Sequence, residues 1–226
     1  MLGYMTTPLV IIGAGGFGRE VLDIVNDMNS RPASSQSERF EFIGFIDDGE
    51  PDLERLSRIG ARHIGPSSSL SGLPNGCKYS IGIGSGALRR KLDNAASAAG
   101  LEPATLIHSS VTFGADVRIS PGAVVCAHVS VTTNVAIGRH THINLNSTIG
   151  HDAVLADYST VNPLCAVSGE VVLDEESTVG TNSAINQGLT IGRGAVIASG
   201  SAVTKSVEDY NLVAGTPAVV KKLLSP

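Results

Sequence analysis

The second half of the chain carries an apolar residue at every sixth position without a break. Small residues, mostly Thr, Ser, Ala, Cys or Val, stand two places before these positions, and mostly Gly, Asn, Ser, Ala or Thr follow them. Because 42% of all residues are hydrophobic, chance agreement at every position is on the order of one in a million. The seventeen apolar positions are Ile107, Phe113, Ile119, Val125, Val131, Ile137, Ile143, Ile149, Leu155, Val161, Val167, Leu173, Val179, Ile185, Ile191, Ile197 and Val203.

A period of six predicts three short strands in each coil of about eighteen residues. Each apolar side chain then points into a triangular prism and stacks on its equivalent one coil away, while the small neighbours fit the corners. Seventeen hexads make about five to six such coils. We therefore predict an all-β parallel β-helix over residues 105–208.

The first hundred residues follow a different pattern, in which short apolar runs end in glycine and lead into helices. The run LVII at residues 9–12 is followed by GAGGFG at residues 13–18 and by a helical stretch at residues 19–25. In the order strand, G-x-G-x-x-G, helix, the glycines let the backbone approach an anion, and the helix N-terminus offers N–H donors. This order predicts a phosphate-binding turn, with an ordinary structural turn as the alternative.

Two further apolar runs repeat the arrangement. FIGFI at residues 42–46 ends in Asp47 and Asp48, where an acidic residue of a Rossmann-like unit meets a ribose or base, unless the pair simply ends the strand. YSIGI at residues 79–83 leads into Gly84 and a basic helix start at residues 88–91. Since three or four strands fit in this length, residues 1–104 are predicted to form an α/β Rossmann-like domain with a parallel sheet that binds one nucleotide. Residues 30–39 are polar and are predicted to form a loop.

Charge and composition exclude several classes of protein. The formal net charge is −5, and no long basic run is present, so the electrostatic footprint of a nucleic-acid-binding protein is missing. No apolar stretch approaches the roughly 18 residues that span a bilayer, and the N-terminus lacks a basic segment followed by an apolar one. We therefore expect a cytoplasmic protein without membrane insertion.

The three cysteines of the chain, Cys77, Cys126 and Cys165, are odd in number and far apart in sequence. This pattern predicts buried free thiols rather than disulfides or a metal pair.

The [LIV]-G-x-x-x-x pattern resembles the hexapeptide-repeat acyltransferases. It appears at residues 137–138, 149–150, 179–180 and 191–192. This resemblance implies a left-handed β-helix and a homotrimer with active sites between neighbouring prisms. Joined in one chain, GAGGFGREV, GFIDD, IGIGSGALRRKL, STIGHD and VAGTPAVVKK are similar to the family of sialic acid O-acetyltransferases and bacillosamine-pathway nucleotide-sugar N-acetyltransferases.

The family resemblance implies acetyl-CoA-dependent N-acetylation of a nucleotide-linked 4-amino-4,6-dideoxy sugar, with UDP preferred over dTDP or GDP and with no metal. O-acetylation of a sugar such as sialic acid is the alternative, since amine and hydroxyl acceptors both need a base. The family's general base corresponds to His151, and the acidic residue that supports it corresponds to Asp152. An imidazole suits this step near neutral pH. Adjacent side chains on a flat strand point oppositely, so the pair requires a corner of the coil.

The same resemblance assigns ligand contacts. Phe17 and Thr160 stand where some members have a histidine, which implies that a phosphate contact is lost at Phe17 and that the contact at Thr160 is weaker. The tail at residues 209–226 is expected to pack at the CoA end of the prism. The nucleotide-sugar contacts correspond to Gly15, Gly16, Phe17, Asp47, Asp48, Gly84 and Arg89. The acetyl-CoA contacts correspond to Thr160, Thr181 and Ser199, with Lys205 and Lys221 as candidates for the CoA phosphates.

Other hypotheses stay open at this point. His140 and His142 compete with His151 as the base, either by lining the cleft one coil earlier or by lying as solvated corner residues. A γ-type carbonic anhydrase uses the same prism with zinc held by histidines. Its H-x-x-x-x-H pair is absent from this sequence, but zinc ligation by these three histidines is geometrically conceivable. A third hypothesis is a non-enzymatic scaffold or nucleotide sensor. This hypothesis does not explain why a nucleotide-binding turn is fused to an acyltransferase prism.

Overall fold

The computed structural model describes residues 6–32 and 38–225. Its contacts divide the chain into two compact units, one of Met1–Gly84 with Leu88–Ser109 and the other of Ser85–Ala87 with Ser110–Pro226. Half of the loop predicted over residues 30–39, namely residues 33–37, lies outside the described residues. The sequence predicts domains with the bounds 1–104, 105–208 and 209–226. These bounds remain a prediction, separate from the division into two units.

The first unit contains a five-stranded parallel sheet in the order β3-β2-β1-β4-β5. This is the strand order of a Rossmann-like unit, in which ligands bind where the connections reverse direction. The strands are β1 (Thr7–Ile12), β2 (Phe40–Ile46), β3 (His63–Gly65), β4 (Lys78–Ile81) and β5 (Glu102–Pro103). The helices of the chain are α1 (Gly16–Ser30), α2 (Leu53–Arg58), a 3-10 helix (Ser67–Gly72) and α3 (Gly86–Ala98).

The three predicted strands correspond to β1, β2 and β4. The expectation of three or four strands is wrong, because β3 and β5 add two edge strands of three and two residues that are too short to give an apolar run. Helix α1 starts at Gly16, earlier than the predicted start at Arg19, because the end of the glycine turn is already helical. Its buried residues Val21, Leu22 and Val25 recur at helical spacing and form the face that faces the core.

From residue 106 onward the chain forms seventeen two-residue strands, each ending on one of the predicted apolar positions. The strands are β6 (Leu106–Ile107), β7 (Thr112–Phe113), β8 (Arg118–Ile119), β9 (Val124–Val125), β10 (Ser130–Val131), β11 (Ala136–Ile137), β12 (His142–Ile143), β13 (Thr148–Ile149), β14 (Val154–Leu155), β15 (Thr160–Val161), β16 (Ala166–Val167), β17 (Val172–Leu173), β18 (Thr178–Val179), β19 (Ala184–Ile185), β20 (Thr190–Ile191), β21 (Val196–Ile197) and β22 (Ala202–Val203).

The second unit stacks sixteen of these strands, β7 to β22, into the three faces of a prism. The first face is β7-β10-β13-β16-β19-β22, and the second is β8-β11-β14-β17-β20. The third runs from β9 through β12, β15, β18 and β21 to a C-terminal hairpin of β23 (Asn211–Gly215) and β24 (Ala218–Leu223). Paired residues on a face, such as Ser130 and Thr148, are one coil apart.

The predicted apolar positions form the core of the prism. All fourteen from Val125 to Val203 are at most 2% exposed. Phe113 is 40% exposed, because it lies in the terminal coil and has no further coil to pack against on that side. Small residues that precede the core positions, such as Ala153 and Ser159, are also buried. Two inward residues per hexad therefore fill the interior.

The corners between the second and the sixteenth hexad each contain a left-handed backbone residue, three places after the core position. Fifteen consecutive corners share this conformation, and glycine occupies only four of them. Left-handed backbone is uncommon outside glycine, asparagine and aspartate, so the sequence alone does not predict it at a residue such as Leu164. The fifteen residues are Asp116, Gly122, His128, Asn134, His140, Asn146, Asp152, Tyr158, Leu164, Glu170, Glu176, Asn182, Gly188, Gly194 and Gly200.

Cys77, Cys126 and Cys165 are all buried and free, as predicted, and burial raises the pKa of the Cys77 and Cys165 thiols. Among the helices of the described residues, none combines the length and apolarity needed to cross a membrane.

Candidate active site

An exposed corner of the prism brings His151 and Asp152 together. This corner, residues 150–153, joins β13 to β14 and is called here the His151 corner. The Nδ1 atom of His151 lies 2.7 Å from Oδ2 of Asp152, and the two side chains are 61% and 47% exposed. The φ angle of Asp152 is 60°, and this left-handed turn places its carboxylate beside the preceding side chain. The corner thus supplies the geometry that a flat strand would not allow.

Asn134, one coil earlier, fixes the second oxygen of the same carboxylate. Its Nδ2 donates to Oδ1 of Asp152 at 3.0 Å. The hydrogen bonds from His151 and then from Asn134 lower the pKa of Asp152. The carboxylate therefore stays ionised down to a lower pH than a free aspartate, and these bonds weaken only when the pH falls through its lowered pKa. Because an ionised carboxylate accepts the Nδ1 proton, a neutral His151 ring presents Nε2 as its acceptor.

The following coil closes the other side of the His151 corner. The backbone N–H of Glu170 donates to the carbonyl of His151 at 2.7 Å. One side-chain nitrogen or carboxylate oxygen from each of His151, Asp152 and Glu170, of the kind that can bind a metal ion, lies within 4.8 Å of the others. A Cβ on Gly150 would lie 2.4 Å from the nitrogen of Gly169, so the glycine after the core position is required by the close approach of the next coil. The sequence argument missed Asn134, Gly169 and Glu170, which one-coil spacing from His151 and Asp152 would have found.

The competing histidines are in a different environment. His140 and His142 are 0% and 1% exposed, so the interpretation of them as solvated corner residues is wrong. The His140 ring stacks on Tyr158, with centroids 5.9 Å apart and an interplanar angle of 9°. Within the described residues, the group of histidine, cysteine and acidic side chains close enough to share a metal ion contains neither of them. Among these three histidines, His151 alone presents a solvent-accessible ring.

The three glycines of the G-x-G-x-x-G turn have distinct roles in the first unit. Gly13 has a φ of 102°, which favours glycine. A Cβ on Gly18 would lie 1.8 Å from the carbonyl oxygen of Gly13, so helix α1 packs against β1 only without a side chain there. Gly15 is the N-cap of α1, and a Cβ at Gly15 or Gly16 meets no described atom within 4 Å. The helix N-terminus is therefore open to a ligand, as a phosphate-binding turn requires.

The acidic pair after β2 supports this turn. Asp47 accepts hydrogen bonds from the backbone of Ala14 at 2.7 Å and of Gly49 at 2.8 Å. Asp48 accepts from the backbone of Ser67 at 2.7 Å, and the hydrogen bonds from Ser67 lower the pKa of Asp48. Both carboxylates line a cavity of about 280 Å³ at the carboxyl ends of β1 and β2. Asp47 therefore anchors the glycine turn in addition to facing the cavity.

The other residues assigned to the nucleotide sugar are not among those that line this cavity. Arg89 is completely buried, and its Nη1 donates to the carbonyls of Ile83 and Gly84, both at 2.9 Å. Its guanidinium therefore shapes the loop between β4 and α3. Phe17 is half-buried in the first turn of α1.

The residues assigned to acetyl-CoA are not gathered around His151 within one chain. Thr160 is 3% exposed in β15, on the third face. Thr181 and Ser199 are exposed and occupy successive coils at the corner that follows the third face, whereas the His151 corner follows the first. Lys205 is exposed beyond β22. A single copy of the prism therefore presents the two groups at different corners.

Known proteins resemble the chain in sequence and in structure. The PglD N-terminal domain family matches residues 8–95. GDP-perosamine N-acetyltransferase of Escherichia coli O157:H7 is 30% identical over 166 residues, which cover 73% of this chain and 72% of that protein. PerB from Caulobacter crescentus, in complex with CoA and GDP-perosamine, matches with a TM-score of 0.84 and 25% identity over 98% of this chain and 99% of that chain. The acetyltransferase domain of PglB from Neisseria gonorrhoeae FA1090, in complex with acetyl coenzyme A, matches with a TM-score of 0.84 and 26% identity over 96% of this chain and 100% of that chain.

These similarities cover nearly the whole chain. They confirm the predicted architecture, an α/β Rossmann-like domain with a parallel sheet followed by a left-handed parallel β-helix. They also confirm the family inferred from the order of the motifs. The chain therefore belongs to the hexapeptide-repeat nucleotide-sugar acetyltransferases and is an acyltransferase.

Proposed function

We propose that the chain transfers an acetyl group from acetyl-CoA to the amine of a nucleotide-linked 4-amino-4,6-dideoxy sugar, with His151 as the general base. The observation that carries this proposal is the exposed imidazole whose Nδ1 is bonded to the Asp152 carboxylate. This bond orients the ring and stabilises the imidazolium that forms when Nε2 accepts a proton. Nε2 makes no hydrogen bond to any residue that the structure describes, so it is available to a substrate.

The transfer then follows from the groups at the His151 corner. The sugar nitrogen attacks the thioester carbonyl carbon while Nε2 of His151 removes a proton from that nitrogen. The carbonyl oxygen becomes an oxyanion, which backbone N–H groups stabilise. Within the described coils, the N–H groups of His151 and Gly169 take no part in the strand ladder and are candidates for this role. Collapse of the intermediate breaks the carbon–sulfur bond, and the imidazolium returns its proton to the CoA thiolate.

The glycine turn of the first unit is the proposed site for the sugar nucleotide. Its diphosphate would bind the open N-terminus of α1 at Gly15 and Gly16, and the nucleoside would enter the cavity lined by Asp47 and Asp48. The sequence resemblance favoured UDP, whereas two of the similar proteins are named for GDP-perosamine. GDP is therefore the first nucleotide to test for this chain.

A panel of acceptors tests the reaction. We expect release of the CoA thiol with a GDP-linked 4-amino-4,6-dideoxy sugar, and slower release with the UDP- and dTDP-linked equivalents. The matched 4-hydroxy sugar nucleotide serves as the control for O-acetylation. The protein's own thiols are all buried, so they add little background in a thiol-release assay. Turnover with the hydroxy sugar and not with any amino sugar would contradict the proposal. Stoichiometric zinc in the purified protein would instead favour the hypothesis of a γ-type carbonic anhydrase.

A homotrimer is the proposed assembly. His151 and the acetyl-CoA candidates Thr181 and Ser199 lie at different corners of one prism, so a groove lined by both requires a neighbouring copy. We expect sedimentation equilibrium to give the mass of three chains of 23.2 kDa each. A monomer that retains full activity would rule out a groove shared between copies.

A further inference from the structure

Gly169 differs from the residues at the equivalent position of the other hexads, which together form one row of corner residues. This row consists of the residue two places after each core position. It contains one histidine, His151, and one glycine, Gly169, which follows that histidine by one coil. The row from the second to the sixteenth hexad is Ala115, Pro121, Ala127, Thr133, Arg139, Leu145, His151, Asp157, Pro163, Gly169, Glu175, Thr181, Gln187, Arg193 and Ser199.

The imidazole of His151 occupies the space that a side chain at residue 169 would need. A Cβ built on Gly169 lies 2.5 Å from both Cε1 and Nε2 of His151, and 3.0 Å from Cδ2. Favourable contacts between such atoms occur at about 3.5–4.0 Å. All three distances are therefore too short, and either the ring or the new side chain would have to move.

The backbone of Gly169 does not itself require glycine. Gly169 is absent from the described residues with positive φ, whereas Gly188, at the same corner, has a φ of 69°. An alanine at residue 169 is thus compatible with the local backbone. The nearest atoms that such a side chain would meet belong to the His151 ring, so the ring, and not the backbone, has to give way.

We infer that Gly169 is a positioning residue, whose lack of a side chain lets the His151 ring lie against the next coil in its reactive orientation. The bond from Nδ1 to Asp152 fixes one edge of the ring, and the Gly169 backbone fixes its plane. Together they direct Nε2 towards the acceptor. The inference rests on the proposed role of His151 as the base.

The first test is the Gly169→Ala variant. The added methyl group displaces the ring, and a misplacement of about 1 Å costs roughly 100-fold in rate. We expect kcat to fall by about that factor, with KM for both substrates within about twofold of the original. Alanine keeps the backbone N–H of residue 169, so any contact of that group with the oxyanion is retained.

Gly188→Ala is the matched control at the same corner. A Cβ there meets no described atom within 4 Å, but the left-handed backbone disfavours it, so this variant should lower the melting temperature and leave kcat unchanged. Gly169→Ala should show the opposite pattern, with a melting temperature close to the original and a reduced kcat. A normal kcat in Gly169→Ala would overturn the inference.

A double-mutant cycle separates this inference from the proposed function. In a His151→Ala background there is no ring to displace, so Gly169→Ala should cause no further loss of the residual activity. An equal loss in both backgrounds would show that Gly169 acts on something other than the ring and would overturn the positioning role alone. Near-full activity in His151→Ala would overturn the base assignment and the positioning role together.

Discussion

Replacing His151 by alanine is expected to lower kcat for acetyl transfer by about 10³-fold, within the range that positioned acid–base groups contribute. The imidazole lies on an exposed corner, and among the described residues its one hydrogen-bond partner is the neighbouring Asp152, so its removal should leave the melting temperature nearly unchanged. Affinity for the sugar nucleotide should also persist, because the glycine turn belongs to the first unit. Steady-state kinetics and calorimetric titration with the sugar nucleotide measure the two effects separately.

Two further variants measure how much Asp152 and Asn134 contribute to kcat at the same site. Asp152→Asn keeps the shape of the side chain but removes the charge that stabilises the imidazolium, and we expect a loss of about 10- to 100-fold in kcat. Asn134→Ala removes only the bond to Oδ1 of Asp152, which is an exposed contact, and we expect a loss of a few-fold. A His151→Ala variant with near-full turnover, or an Asn134→Ala variant with a greater loss than His151→Ala, would contradict the assignment.

Replacing Gly15 by aspartate is expected to weaken nucleotide binding at least about tenfold without loss of stability. Gly15 has extended backbone at the N-cap of α1, and the described structure shows no side-chain cap. An aspartate there would accept hydrogen bonds from the first turn of the helix, which stabilises the protein by a few tenths of a kcal/mol over glycine. Its charge would occupy the site proposed for the diphosphate. Two like charges about 4 Å apart repel by about 4 kcal/mol near a protein surface, so after screening we expect KM to rise at least about tenfold.

Gly15→Asn is the matched control, because asparagine caps the helix equally well without a charge. The ratio of KM between the aspartate and asparagine variants then measures the electrostatic effect alone, and this ratio should shrink as salt is added. Equal KM values for the two variants would show that no phosphate binds at the start of α1. Circular dichroism and thermal unfolding verify that both variants fold.

Much of the fold was predictable because it depends on local periodicity. A core residue every six positions specifies both the strands and the interior of the prism, so all seventeen strands end where the pattern places them. The short strands β3 and β5 were missed because two or three residues carry no pattern, and pairing with longer neighbours forms them. The left-handed conformation at Leu164 was likewise unpredictable, since the closure of each coil imposes it against the preference of the residue.

The candidate site was only partly predictable for a related reason. The HD pair is adjacent in sequence, and its corner position follows from the register of the repeat. Asn134 and Gly169 contribute from neighbouring coils, and nothing local in their sequence marks them. The environment of Arg89 was equally hard to predict, because the sequence does not show that its guanidinium is buried and donates to the carbonyls of Ile83 and Gly84.

The origin of the His151 corner in three successive coils restricts which insertions and deletions the enzyme tolerates. Loss of a single hexad between Asn134 and His151 would keep every core position apolar, and the prism would still close. Asn134 would then lie at a different corner, away from Asp152. A change of one full coil in the same interval would restore the corner but exchange Asn134 for another residue. Beyond Glu170, whole coils can be gained or lost without altering the base. The spacing from Asn134 to Glu170 is therefore set by the geometry of the proposed base, whereas the coils beyond it are constrained by folding and by the proposed acetyl-CoA contacts at Thr181 and Ser199.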